Sequence, residues 1–418
     1  MNTYFIVINF LLLLFLFFLG KKRKVWIQPS VHFLLINVAS IFVCNYWVEE
    51  FQHVKNTMET ELFYLGLYLC SLVSMVHVPN EKETLNFRDK LAFLKSPKSV
   101  RIICFGAVVN LLLLLFFLLA VDFKVLLLNF SYLDMVDPEK IGISSYPILV
   151  LYKKTVIINA ILCFFFFGFL STLKLKHVAY FKWIYFFIGV FFWIYLLGNN
   201  SRTSGLIWVG LLGAIFLFTT PSKWQKAKMF MIVCLIAMSY MSALQGRQKY
   251  QQGISQIPRN ISLIQSTGMD EIKFYARNIF GGAWVFSEAK DMNGDYPEKY
   301  KVLSFSPFPS SIDNFSSYLK YQNRISVFEP YSANVEVYHF GGGYILLYFL
   351  ILLIGLSLLN KTIKENRFIG YLMALPAYLF FIAYQQYPLR SNFRYFFISI
   401  ILCFIFLKLK AKTKPNTI

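Results

Sequence analysis

Glu336-Val337-Tyr338-His339-Phe340-Gly341-Gly342-Gly343 closes a polar stretch that begins at Gln245 and also contains Glu329-Pro330-Tyr331. It is the one long polar segment in the chain. Everything around it is built of apolar runs of roughly 17 to 24 residues, the length a helix needs to cross about 30 Å of hydrocarbon. With 57% hydrophobic and 15% charged residues over 418 positions, a soluble globular chain is excluded, because that much apolar surface has nowhere to hide from water. The fold class expected is therefore an all-α polytopic membrane protein of about eleven transmembrane helices, with ten to twelve compatible with the run lengths.

Working outward from the polar stretch, the expected spans are Thr3–Leu19, Val25–Val48, Leu62–Val78, Ile102–Val121, Thr155–Leu173, Val178–Leu197, Thr203–Thr220 and Met229–Leu244 before it, and Gly341–Leu359, Phe368–Tyr384 and Tyr395–Leu407 after it. The apolar piece Val125–Phe130 is too short to cross and reads as interfacial. Residues 1–244 thus form a membrane domain, 245–340 a large extracytoplasmic loop, and 341–418 the last spans with a basic cytoplasmic tail. Lys21-Lys22-Arg23-Lys24 follows the first apolar run, the reverse of a cleaved signal, so that run is expected to stay as an anchor with the N-terminus outside.

The net charge of +20 comes from short basic clusters between apolar runs, a topology signal, and no nucleic-acid partner is expected. With the N-terminus outside, the inner loops and tail carry 23 Lys or Arg and the short outer segments 8. That asymmetry puts the polar stretch outside, since long translocated loops are exempt from the rule. The stretch holds ten Lys or Arg against nine Asp or Glu and many aromatics, so it is expected to fold against the membrane domain. All six cysteines lie in apolar runs with no Cys-x-x-Cys pair, and neither a disulfide framework, a metal site nor a cofactor is expected.

On the outer face, Arg202 sits in Gly198-Asn199-Asn200-Ser201-Arg202-Thr203-Ser204-Gly205, a polar run that a plain anchor does not need. Arg390 and Arg394 are four apart, so a helix puts them on one face, and guanidinium forks there suit a phosphate or pyrophosphate. Arg247, Arg277 and Arg324 could assist. Glu336, His339 and Gly343 follow at i, i+3 and i+7 on one helical face, and Glu336, His339 or Glu329 could act as a general base beside such arginines.

Ser201-Arg202-Thr203 before a span, and Glu336-Val337-Tyr338-His339-Phe340-Gly341 leading into another after a large outer loop, resemble the bacterial O-antigen and capsule repeat-unit polymerases (Wzy), relatives of the O-antigen ligases. The chain departs from that pattern at Tyr344, where the family often has a second glycine, and in its odd span count. The resemblance implies a glycosyltransferase of the bacterial inner membrane. It would transfer a growing glycan from undecaprenyl pyrophosphate to another lipid-linked oligosaccharide on the outer leaflet, beside a flippase and a chain-length regulator. It implies Arg202, Arg390 and Arg394 at the pyrophosphate, with Arg247, Arg277 or Arg324, and Glu336, His339 or Glu329 at the acceptor hydroxyl. A ligase shares nearly all of this logic. A flippase for the same lipid, the alternative of another class, would place charges along several mid-bilayer faces, and these spans are nearly free of them.

Overall fold

The computed structural model describes residues 7–14, 18, 28–46, 58–76, 94–127, 137–173, 178–218, 222–248, 252–265, 268–308, 312, 314–326 and 329–413. After a helical piece over 7–14 come α1 (Pro29–Tyr46) and α2 (Met58–Val73). The next set is α3 (Pro97–Ala120), α4 (Phe123–Leu127), α5 (Pro147–Lys154), α6 (Val156–Ser171), α7 (Ala179–Gly198), α8 (Trp208–Phe218), α9 (Lys223–Gln248) and α10 (Ile257–Gln265). The last is α11 (Met269–Phe280), α12 (Gly282–Ala289), α13 (Glu298–Ser304), α14 (Ala333–Phe340), α15 (Gly342–Glu365), α16 (Arg367–Ala383) and α17 (Leu389–Thr413). A short antiparallel pair, β1 (Arg324–Ser326) with β2 (Glu329–Pro330), interrupts the helices.

Each expected span overlaps a helix or the described part of one. Among the described residues five helices, α3, α7, α9, α15 and α17, are long and apolar enough to cross a membrane, and α5 with α6 makes a sixth if the pair is one span bent by 67°. Large apolar side chains such as Leu119 on α3 and Phe230 on α9 face outward, as they do on helices whose surroundings are lipid. The polar stretch is itself largely helical, and α9 carries on into it as far as Gln248.

The helices pack as two compact units, residues 1–82 with 270–418 and residues 83–269. This grouping by contact is a different division from the alternation of membrane and loop along the sequence. In the first unit the core is aromatic, with Phe33, Tyr64, Phe286, Tyr348, Phe380 and Phe393 buried in one cluster. Its two ends differ in chemistry. At one, Asn360 donates to Ser30 Oγ (2.7 Å) and the Ser74 carbonyl (2.8 Å), and Lys410 pairs with Glu365 at 2.7 Å. At the other, Thr60 meets Ser287 at 2.9 Å and the Leu389 N–H reaches Glu336. The part of the polar stretch from α12 to α14 therefore sits at the end opposite the basic termini of α15 and α17. Inside α16, Pro376 interrupts the backbone ladder, and the next N–H, of Ala377, is taken by Ser399 Oγ on α17 at 2.8 Å.

In the second unit α6 lies against both α7 and α8, and Phe164 stacks on Trp208 with ring centroids 4.4 Å apart. Gly210 makes the α6–α8 crossing possible, because a Cβ there would run into the Ile161 carbonyl. Asn110, Tyr152, Asn159 and Cys163 form a closed polar knot where α5 bends into α6. The Tyr152 hydroxyl donates to Asn110 Oδ1 at 2.6 Å, and the Asn110 amide donates to Asn159 Oδ1 at 2.7 Å.

Candidate functional site

In the first unit the site is built on α14. Ser332 starts the helix, its Oγ accepting the Val335 N–H at 3.4 Å, and the first turn then carries Glu336 inward to 0% exposure. Gly341, at a φ of 99° that other residues avoid, stops the helix and lets α15 leave in a new direction. The Glu336 carboxyl is held from two sides. The Tyr300 hydroxyl of α13 donates to Oε1 and the N–H of Leu389, first residue of α17, donates to Oε2, both at 2.7 Å. The carboxyl thus caps the electropositive end of α17.

Burial pushes the Glu336 carboxyl up to about 7, against the opposing pull of the Tyr300 and Leu389 hydrogen bonds. The Tyr300 phenol is driven far above its usual range, first by burial and then by Glu336 beside it. Two charge-sensitive groups, one near neutrality, share a hydrogen bond, and that is the most chemically unusual contact in this unit.

Arg390 follows Leu389 and is only 3% exposed. Its Nη1 donates to the carbonyls of Leu303 (2.9 Å) and Ser306 (2.7 Å), its Nη2 to that of Phe308 (2.7 Å), and the guanidinium lies 5.0 Å above the Phe315 ring. The sequence places this residue at a pyrophosphate. In the fold its fork closes on backbone carbonyls, because the chain after α13 loses its helical partners there and needs donors. Arg394, one turn on and half-buried, stacks over Tyr395 at 5.4 Å, and among the described residues it makes no hydrogen bond or ion pair.

His339 shares α14 with Glu336 but has other neighbours. Its Nε2 is 3.0 Å from the Ala289 carbonyl, which can only accept, so the proton is on Nε2. The ring stacks on Tyr331 at 5.7 Å and presses on Gly294. Glu329 and Arg324 fall on the β1–β2 pair, with Arg324 exposed and the Glu329 side chain outside the described residues. Arg277 is on α11, and its side chain also lies outside the described residues.

In the second unit the turn after α7 gathers the other two arginines. Asn200 takes a left-handed φ of 50°, and a 3-10 turn over Arg202–Ser204 follows. The Ser204 hydroxyl donates to the Ser239 carbonyl of α9 at 3.3 Å, and Arg247, in the last turn of α9, donates from Nε to the Asn200 carbonyl at 2.8 Å. Arg202 and Arg247 therefore meet at one turn, at the end where α7 and α9 both finish. Buried polar side chains crowd it, among them Asn199, Gln245, Gln252 and Asn260. Among the described residues the buried Oδ1 atoms of Asn199 and Asn260 meet no donor, which leaves the turn hydrogen-bonding capacity.

The fold thus ties Glu336 to the start of α17, with the Arg390 and Arg394 side chains engaged elsewhere, places Arg202 and Arg247 at one turn of the other unit, and sets His339 apart from Glu336. Sequence reasoning misses Tyr300. Its signal is faint: Pro297 opens a seven-residue helix in which Tyr300 and Ser304 share a face. In comparison with known proteins, the chain matches no family model, no curated protein sequence and no solved structure.

Proposed function

We propose that the chain is a membrane glycosyltransferase that joins oligosaccharide repeat units carried on a polyprenyl pyrophosphate, with about eleven spans and its polar stretch on the outer face. The observation that carries the reading is the meeting of Arg202 and Arg247 at one polar turn where two bilayer-length helices end. A lipid diphosphate leaves with several negative charges at the height where spans leave hydrocarbon. Fixed guanidiniums there stabilise the charge as it develops, and no nucleotide is needed. Within the first unit, Glu336 is the carboxyl suited to act as a general base, because burial pushes it up to about 7, and a hydroxyl reaching it would take the place of the Tyr300 phenol.

The bend between α5 and α6 is the feature that favours a flippase, since broken spans line transport paths. The polar groups at that bend bond one another, which favours a structural hinge. The test is Arg202→Ala and Arg247→Ala in cells that make the native polysaccharide. Each variant should reach the membrane at normal levels, leave single repeat units and lose long chains. Normal chain-length ladders from both would defeat the reading.

A further inference from the structure

Helix α13 has two faces. Tyr300 and Ser304, four apart, point inward, Tyr300 to Glu336. Lys299 and Val302, three apart, share the opposite face, and Val302 is 57% exposed. The Lys299 ammonium lies 5.7 Å over the Tyr318 ring, which sets the 3-10 turn Phe315–Tyr321 beside that face. On this turn Leu319 is 51% exposed, and Lys320 stands 5.1 Å over the Tyr321 ring. Beyond α13 the chain reaches Phe308, 57% exposed, whose carbonyl is held by Arg390 at 2.7 Å.

That last bond fixes a depth. Arg390 is the second residue of α17, whose candidate span Leu389–Lys410 is 22 residues long and opens on a polar turn before the apolar run from Tyr395. At 1.5 Å per residue it covers about 33 Å, the thickness of the hydrocarbon core. Phe305, between α13 and Phe308, packs on Phe393 (5.5 Å) and Tyr344 (5.9 Å), in the opening turns of α17 and α15. Exposed apolar side chains are thus pinned where two spans of the same unit enter lipid.

We propose that Val302, Phe308 and Leu319 insert into the headgroup–acyl boundary of the bilayer that the chain itself crosses, with Lys299 and Lys320 on the phosphates of anionic lipids. Amphipathic segments with tyrosines and lysines around an apolar face sit at this depth. The charge fits as well. Exposed Glu298 is engaged by Lys301 at 3.3 Å and by Tyr344, whereas among the described residues neither Lys299 nor Lys320 has a carboxylate partner. The seat does not depend on the polymerase reading. It would hold Tyr300 and Glu336 at headgroup height whatever the substrate.

The test is nitroxide labelling of Val302→Cys, Phe308→Cys and Leu319→Cys in full-length protein carrying Cys234→Ser, since the other five cysteines are buried. Exposed Asn293→Cys is the aqueous control. In proteoliposomes the three labels should be relaxed by oxygen at least several-fold more than by a water-soluble nickel chelate, and the control should show the reverse. Replacing neutral phosphatidylcholine by a mixture with phosphatidylglycerol should deepen the labels, and Lys299→Gln with Lys320→Gln should remove that response. Nickel accessibility at all three sites would overturn the proposal. So would shielding from both reagents with dipolar broadening, which would mean a second copy covers the face, or indifference to anionic lipid.

Discussion

Glu336 offers the sharpest test of the first unit, because its carboxyl is buried among neutral donors. The fold raises its pKa from 4.5 to about 7, so the protonated form is the one the fold prefers. Its contribution to stability is complete below pH 4.5 and gone once the pH passes 7. At 1.36 kcal/mol per unit, the difference is about 3 kcal/mol between the two limits. Glu336→Gln cannot titrate. Its amide can still satisfy one of the two donors, at a cost of about 1 kcal/mol for the other. Thermal unfolding in nanodiscs from pH 5 to 8 should therefore show wild type losing stability toward pH 8 while the Gln variant follows a flatter course. Parallel curves would refute the argument and place the titrating group elsewhere.

Arg390→Lys should destabilise the protein by about 3 kcal/mol, since an ammonium replaces a fork that bonds three carbonyls and at least two charge-assisted bonds of about 1.5 kcal/mol are lost. Chemical unfolding in mild detergent reads this, and an unchanged midpoint would show those bonds to be idle. Gly210→Leu should abolish the monodisperse peak in fluorescence-detected size exclusion, because α6 and α8 cannot cross with a side chain against the Ile161 carbonyl, and a normal peak would contradict that crossing.

Much of the helical layout is legible from the apolar runs, because a bilayer-length helix repeats one composition over its whole length. Contact between distant helices is not. Nothing local says that α1 packs with α12, α15 and α16, or that α6 bends away from α5 at Thr155. The end of α9 also escapes a hydropathy reading, which stops at Leu244. The helix continues through polar residues to Gln248, and so Arg247 is carried back to Asn200. Spacing places Glu336 and His339 on one face, but a shared face does not make a shared site. Gly294 and Ala289 claim the histidine, while Tyr300 and Leu389 claim the carboxyl. Arg390 and Arg394 illustrate the same limit. Their spacing predicts a common face, and only the carbonyls after α13 show which of the two is free of backbone duty.

The central claim is that the turn holding Arg202 and Arg247 receives a lipid diphosphate. Native mass spectrometry of the purified protein titrated with undecaprenyl pyrophosphate measures it directly. Wild type should retain the lipid, and Arg202→Ala with Arg247→Ala should weaken retention at least tenfold while undecaprenyl monophosphate is held poorly by both. Equal retention of the pyrophosphate by wild type and double variant would contradict the account.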